Sequence, residues 1–251
     1  MGPSPVRLAV ESVATRLEVS LDRLHRPPRV TPIGLDAFVE RVATVTARPA
    51  GAVLRERALE EIERHVREEA RRRTAGDPDH VHDGDLTFAR TCYLLCRLVR
   101  PVQIVETGVG NGVSTSFLLQ ALEENGDGSL VSIDLPQHGV SESTVGRFVP
   151  EELRSRWEVR FGATKRLLPP ILAELGTVGM FVHDSRHTYR NVSRELRTVT
   201  SRLLRPASVV VDDAERHSAF SEWVEEAQPA VSGFLEPSTK AGLIGAAILT
   251  S

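Results

Sequence analysis

The sequence predicts an α/β fold: a doubly wound sheet of mainly parallel strands, closed by an antiparallel hairpin and preceded by a helical extension. Three observations predict it. From Pro101 onward, short apolar runs alternate with helix-patterned segments. All of the first five runs end in an acid or a glycine, as strands do when they lead into a binding crevice at the carboxyl edge of a sheet. The last two runs, 231–235 and 243–249, flank a short polar turn, Pro237 to Gly242, which joins antiparallel strands.

The first eighty residues read as helices and connectors. Pro27, Pro28 and Pro32 break the chain after an apolar stretch around Leu17, Val19, Leu21 and Leu24. Leu35, Phe38, Val39, Val42 and Val45 keep helical spacing, and Arg48-Pro49-Ala50-Gly51 interrupts it. From Ala52 to Thr74, Leu54, Ala58, Ile62, His65 and Val66 carry a second stripe on a helix dense in Arg and Glu, whose charges read as a solvated face. His25 and His65 are read as ordinary surface histidines. The polar stretch 75–85 is a loop and marks the boundary between an extension, 1–80, and a main domain, 81–251. Its acids with His80 and His82 resemble a metal cluster, but the stretch reads first as a wet connector and second as a lid over the cofactor. Asp85 is placed to cap the next helix, Leu86 to Val99. On that helix Cys92 and Cys96 share a face with Leu95 and Val99, so core filling is expected of them and not a redox or metal pair.

The main domain then reads strand by strand. Runs 102–106, 130–134, 158–162, 178–184 and 207–213 are the five strands, with helices expected from Ser114 to Leu122 and from Thr188 to Leu204.

Composition narrows the class without naming a chemistry. Thirty-one basic and 34 acidic residues among 251 leave a formal charge of −3, so no strongly basic nucleic-acid footprint is expected. Only Lys165 and Lys240 are lysine; every other base is arginine. No apolar run nears the ~20 residues that span a bilayer, and Met1 to Pro5 does not read as a signal peptide. A cytoplasmic, enzyme-sized protein with no membrane partner is expected.

The chemistry-bearing residues lie at the strand ends: Glu106, Asp134, Gly162, Asp184, Asp212 and Asp213. Gly108, Gly110 and Gly112 allow a tight turn and close approach of a ligand, and the following helix offers its amino terminus. Asp134, 22 residues past Gly112, is placed to accept from a ribose diol. The glycine spacing is Gly-x-Gly-x-Gly and not the dinucleotide Gly-x-Gly-x-x-Gly, which disfavours a nicotinamide oxidoreductase.

The segment Glu106-Thr107-Gly108-Val109-Gly110-Asn111-Gly112-Val113-Ser114 resembles motif I of class I S-adenosylmethionine-dependent methyltransferases. With His183-Asp184-Ser185-Arg186-His187 and Val211-Asp212-Asp213, the resemblance narrows to macrocin-type sugar O-methyltransferases and cephalosporin-hydroxylase-like proteins, with a site layout similar to that of catechol O-methyltransferases. It covers about Asp83 to Ser251. It implies a Rossmann-like, seven-stranded sheet with a reversed last strand. It further implies that Glu106, Gly108 and Gly110 line the methionine part of S-adenosylmethionine, that Ser114 binds its carboxylate, that Asp134 holds the ribose, and that Gly162 and Ala163 lie near the adenine. Asp184, at the edge of that cofactor site, would bind Mg²⁺ together with Asp212 and Asp213, and His187 would be the base.

The residue chemistry supports the same set. Three converging carboxylates repel one another unless a cation neutralises them, and oxygen donors suit Mg²⁺. A cation-bound hydroxyl is more acidic, and an imidazole can take its proton near neutral pH. Each residue also has an ordinary structural explanation: Asp184 with Ser185, and Asp212 with Asp213, as helix caps, and His187 as a first-turn surface residue. His217 is a second base candidate, His183 a structural residue, His138 a substrate contact, and Trp157 and Trp223 packing residues.

The expected activity is a Mg²⁺-assisted O-methyltransferase for a small hydroxylated acceptor, of sugar or natural-product type. The alternatives are a metal-independent N- or C-methyltransferase, an oxidoreductase, and a non-catalytic protein of the same fold. The N-terminal helices are expected to form a substrate lid or a homodimer contact.

Overall fold

The computed structural model describes residues 22–73, 85–136 and 141–250. The expectations for His80, His82 and His138 fall outside these residues. Helices α1 (Leu35–Thr46), α2 (Ala50–Val53), α3 (Arg57–Arg73) and α4 (Thr87–Val99) precede the sheet. There follow β1 (Gln103–Thr107), α5 (Val113–Asn125), β2 (Ser129–Asp134), β3 (Trp157–Phe161), α6 (Thr164–Leu175), β4 (Val178–His183), α7 (Tyr189–Thr200), β5 (Leu203–Val211), α8 (Ala219–Ala227), β6 (Val231–Leu235) and β7 (Ile244–Leu249).

The seven strands form one sheet in the order β3-β2-β1-β4-β5-β7-β6, and β7 alone runs against its neighbours. Period-2 alternation sends Ile104, Leu130, Met180, Val182 and Val210 to one face, with the core of α1 to α5. Val105, Val131, Phe181, Val209 and Val211 go to the other, with α6, α7 and α8. Both faces are covered, which is why the strands read as continuous apolar runs.

The N-terminal helices are not held apart from this core. Phe38, Val39, Val42, Leu59, Ile62 and Val66 are buried in the same cluster as Leu94, Phe117 and Ile104. Ile33 bridges to Leu235 at the β6 edge. Cys92 and Cys96 are buried free thiols, as expected from their helix face. Asp85 is not the N-cap of α4, which is Leu86; its Oδ1 accepts from the Thr87 N–H at 2.8 Å from one residue earlier.

Two helix boundaries and one residue differ from what the sequence predicts. The helix expected from Ala52 to Thr74 is broken between Val53 and Arg57. There Glu56 turns inward to accept from Tyr93 Oη at 2.5 Å and from the Arg97 guanidinium. The helix expected to reach Leu204 stops at Thr200, because Val178 N donates to the Arg202 carbonyl and Leu203 already pairs with β4. His65 is not only a surface residue: its Nε2 lies 2.9 Å from the Phe148 carbonyl, joining α3 to the segment between β2 and β3.

Candidate active site

Parallel register assembles the site. Thr107 pairs with His183, and His183 with Val211. One residue further on, the Asp184 N–H donates to the Thr107 carbonyl at 2.7 Å and the Asp212 N–H to the His183 carbonyl at 2.9 Å. The ladder therefore runs one step past the strands and delivers Asp184 and Asp212 side by side at the carboxyl edge. This is where a ligand crevice is expected in an open α/β sheet.

The glycine loop sits next to them. Gly108, Gly110 and Gly112 all have positive φ, at 86°, 52° and 87°. The space that a Cβ on Gly108 would need is filled by the Asp184 carbonyl, whereas one on Gly110 would meet nothing within 4 Å. Gly108 thus locks β1 against the end of β4, and Gly110 opens towards the crevice. Asp134 holds the loop from the β2 side: its Oδ2 accepts from the N–H groups of Val109 at 2.7 Å and Gly110 at 3.1 Å.

Glu106 lies beneath this loop and is fully buried. It accepts from the hydroxyls of Ser114, Thr115 and Ser132 at 2.7, 2.8 and 2.7 Å. Burial pushes its pKa up to about 7 in spite of those three donors. Ser114, the residue expected to bind the cofactor carboxylate, is buried and gives its hydroxyl to Glu106. Trp157 adds to this network by donating to Ser132 Oγ at 2.9 Å. Gly162 and Ala163 follow β3 and lead into α6, both half-buried, with the Gly162 N–H donating to the Asp134 carbonyl at 2.8 Å.

Asp184, His187 and Asp212 offer ligand atoms that all lie within 4.8 Å of one another. His187 Nε2 is 3.6 Å from Asp184 Oδ1, and His187 Nδ1 is buried without a hydrogen-bond partner. Burial, reinforced by His183, lowers the His187 pKa to about 3, so the ring is neutral at pH 7. Burial and the neighbouring Asp212 hold Asp184 well above the usual carboxylate range. Asp213 does not join this group. It adopts a left-handed conformation, φ 50°, and its Oδ2 pairs with Arg216 Nη2 at 2.7 Å.

Three more residues bear on the site and were assigned no chemistry from sequence. Lys240, in the β6–β7 turn, places its Nζ 2.5 Å from Asp212 Oδ2 and 3.5 Å from Asp213 Oδ1. The one available signal was its rarity: it is one of two lysines, in a polar turn facing acidic strand ends. His183 and Glu195 form a fully buried pair, 2.8 Å from Nδ1 to Oε2. Burial alone would raise the Glu195 pKa, but His183 and hydroxyl donors bring it down to about 2. Thr107 Oγ1 donates to Glu195 at 2.8 Å, Asn191 Nδ2 at 3.0 Å and Ser185 Oγ at 3.2 Å. The His183 ring stands edge-on to His187 with centroids 5.5 Å apart, so this pair braces the histidine beside the carboxylates.

Residues 105–214 match a family model described as a methyltransferase domain, a span that begins in β1 and ends just past Asp213. The order of the strands, with a reversed β7 between β5 and β6, is that of a Rossmann-like sheet with one antiparallel strand. No curated protein sequence matches the chain.

Solved structures repeat the methyltransferase fold. The O-methyltransferase TomG of Streptomyces achromogenes, involved in tomaymycin synthesis and solved with S-adenosylmethionine, is 20% identical with a TM-score of 0.51; the match covers 78% of this chain and 91% of that one. A methyltransferase of Podospora anserina bound to S-adenosylhomocysteine is 12% identical at a TM-score of 0.53, covering 100% of this chain and 98% of its own. One from Geobacter sulfurreducens is 19% identical at 0.51, over 75% and 90%. Among the described residues, no helix is long and apolar enough to cross a membrane.

Proposed function

We propose that this methyltransferase transfers the methyl group of S-adenosylmethionine to a hydroxyl of a small acceptor of sugar or natural-product type, with a divalent cation, Mg²⁺, assisting. The observation that carries the reading is the convergence of Asp184, His187 and Asp212 at the sheet edge that also holds the glycine loop.

The residues present fit both groups. For the cofactor, the open space over Gly110 and the loop held by Asp134 provide a cradle beside the amino end of α5. Glu106, Gly108 and Ser114 shape its floor, with Asp134 towards the ribose and Gly162 and Ala163 towards the adenine. For the cation, Asp184 and Asp212 supply the hard oxygen donors that Mg²⁺ prefers. Asp213 contributes negative charge from behind while it stays paired with Arg216.

Bound S-adenosylmethionine supplies an electrophilic methyl group, and a bound cation makes an acceptor hydroxyl more acidic. The chain contributes position and a proton acceptor. Glu106 and its three hydroxyl donors fix the start of α5 relative to β1 and β2. Asp134 fixes the loop amides. Such fixed placement of reactants can remove about 7–11 kcal/mol of a transfer barrier. His187 is neutral and takes the proton at Nε2, the nitrogen that faces Asp184. A cation held by Asp184 and Asp212 would acidify the hydroxyl whose proton the neutral His187 ring takes.

A second reading is favoured by Lys240, whose ammonium already partly neutralises Asp212. In it the methyltransferase needs no metal and methylates nitrogen or carbon. Transfer of radiolabelled methyl from S-adenosylmethionine to a panel of sugars, phenols and amines, with Mg²⁺ or with a chelator, separates the two. Hydroxyl acceptors and loss of turnover with the chelator support the first; amine acceptors and indifference to the chelator support the second.

A further inference from the structure

We infer that Lys240 is a resident counter-ion of the carboxylate site, which holds the metal-free protein together and is displaced when a divalent cation binds. This rests on the reading of Asp184 and Asp212 as the cation ligands.

Asp184, Asp212 and Asp213 are three acids at adjoining strand ends, and Arg216 is committed to Asp213. Lys240 is left facing Asp212, with Nζ 2.5 Å from Oδ2 and 3.5 Å from Asp213 Oδ1. An ammonium on Asp212 Oδ2 and a cation shared by Asp184 and Asp212 draw on the same carboxylate. The two positive charges also repel each other, so binding of one weakens the other.

The turn that carries Lys240 is built to hold it there. Asp85 Oδ2 accepts from the backbone N–H groups of Thr239 at 2.5 Å and Lys240 at 2.9 Å, while Asp85 Oδ1 accepts from the Thr87 N–H at the start of α4. On the other side the Leu243 N–H donates to Glu215 Oε2 at 2.6 Å, and the Leu243 carbonyl accepts from the Ala214 N–H at 2.8 Å. Gly242, with φ 103°, lets the backbone pass directly against Asp213, where a side chain would collide with its carboxylate. The backbone is thus tied at both ends while the four-carbon stem of Lys240 stays free to swing. Lysine suits this role: its ammonium is a point charge on a flexible stem, where arginine would make a fixed two-pronged pair.

Mn²⁺ serves as the probe, read by electron paramagnetic resonance of the free ion on the full chain, with thermal unfolding measured in parallel. Lys240→Met is expected to bind Mn²⁺ at least about tenfold more tightly than the wild type, as removal of a competing charge requires. Its metal-free melting temperature is expected to fall, and saturating Mn²⁺ to restore it. Lys240→Arg keeps the charge and is expected to hold Mn²⁺ no more tightly than the wild type. If Lys240→Met binds Mn²⁺ equally or more weakly, and unfolds at the same temperature with and without the ion, the counter-ion role is overturned. Asp212→Asn separates the two ideas. If it binds Mn²⁺ like the wild type, the ions lie elsewhere and the cation site itself is wrong. If it abolishes binding while Lys240→Met changes nothing, only the role of Lys240 fails.

Discussion

His187 Nε2 stands 3.6 Å from Asp184 Oδ1, while its Nδ1 is buried without a partner and the His183 ring closes one side of it. A histidine so placed is neutral and held by packing, with one nitrogen turned to a carboxylate. His187→Ala is expected to lower kcat by about 10²- to 10⁴-fold, the range general-base removal produces, with KM for S-adenosylmethionine changed less than threefold. Steady-state kinetics check this. Unchanged kcat would remove His187 from the chemistry.

The two central glycines of the loop should behave differently. Gly108→Ala puts a methyl group into the Asp184 carbonyl, so β1 and β4 must part at the site; a loss of several kcal/mol of stability is expected, ~3 or more by analogy with overpacked cores. Gly110→Ala meets only open space, and its cost is about 1–2 kcal/mol for a left-handed alanine. Yet Gly110→Ala should weaken S-adenosylmethionine by tenfold or more, because the added methyl group occupies the proposed cradle. Denaturant melts and calorimetric titration of the same two variants test both statements.

The buried His183–Glu195 pair gives a stability prediction. Glu195→Gln leaves the His183 ring without its acceptor anion inside the core, and truncating one partner of a buried pair costs about 3–5 kcal/mol. Urea unfolding of Glu195→Gln should show a loss of that order, with methyl transfer reduced in the fraction that stays folded, since His183 braces His187.

His217 sets a pH dependence. It is buried, neither ring nitrogen has a hydrogen-bond partner, and burial lowers its pKa from 6.5 to about 4. The folded state resists protonation that the unfolded state accepts, so between about pH 6.5 and 4 the unfolded chain binds more protons. Its contribution is full above pH 6.5 and is lost as pH falls towards 4, a loss on the order of 3 kcal/mol. His217→Leu should flatten the stability–pH curve in that window relative to the wild type. Melting curves at half-unit pH steps check it; an identical slope in the variant would contradict the buried neutral ring.

The strand ends were legible in sequence because each apolar run is short and stops at an acid or a glycine. Those residues lie next to one another once parallel register aligns β1, β4 and β5. Glu106, Asp134, Asp184 and Asp212 were placed at the crevice from this pattern alone. Asp213 was grouped with them by adjacency, but its left-handed backbone turns its carboxylate to Arg216, and nothing in a dipeptide of two acids signals that. Glu195 reads as one more polar residue on an amphipathic helix, although it is fully buried against His183. Lys240 was hidden by distance: it lies 28 positions after Asp212, beyond α8 and β6, and only the antiparallel hairpin folds it back.

The central claim is that this sheet edge binds S-adenosylmethionine and a divalent cation together for methyl transfer. Calorimetric titration of S-adenosylmethionine into the full chain, with Mg²⁺ and a hydroxylated acceptor present and radiolabelled methyl transfer followed in the same samples, tests it most directly. The claim predicts one cofactor site per chain and label appearing on acceptor oxygen, lost in Asp184→Asn and with chelator. Binding of no cofactor, or full transfer in chelator with Asp184→Asn unchanged, would contradict it.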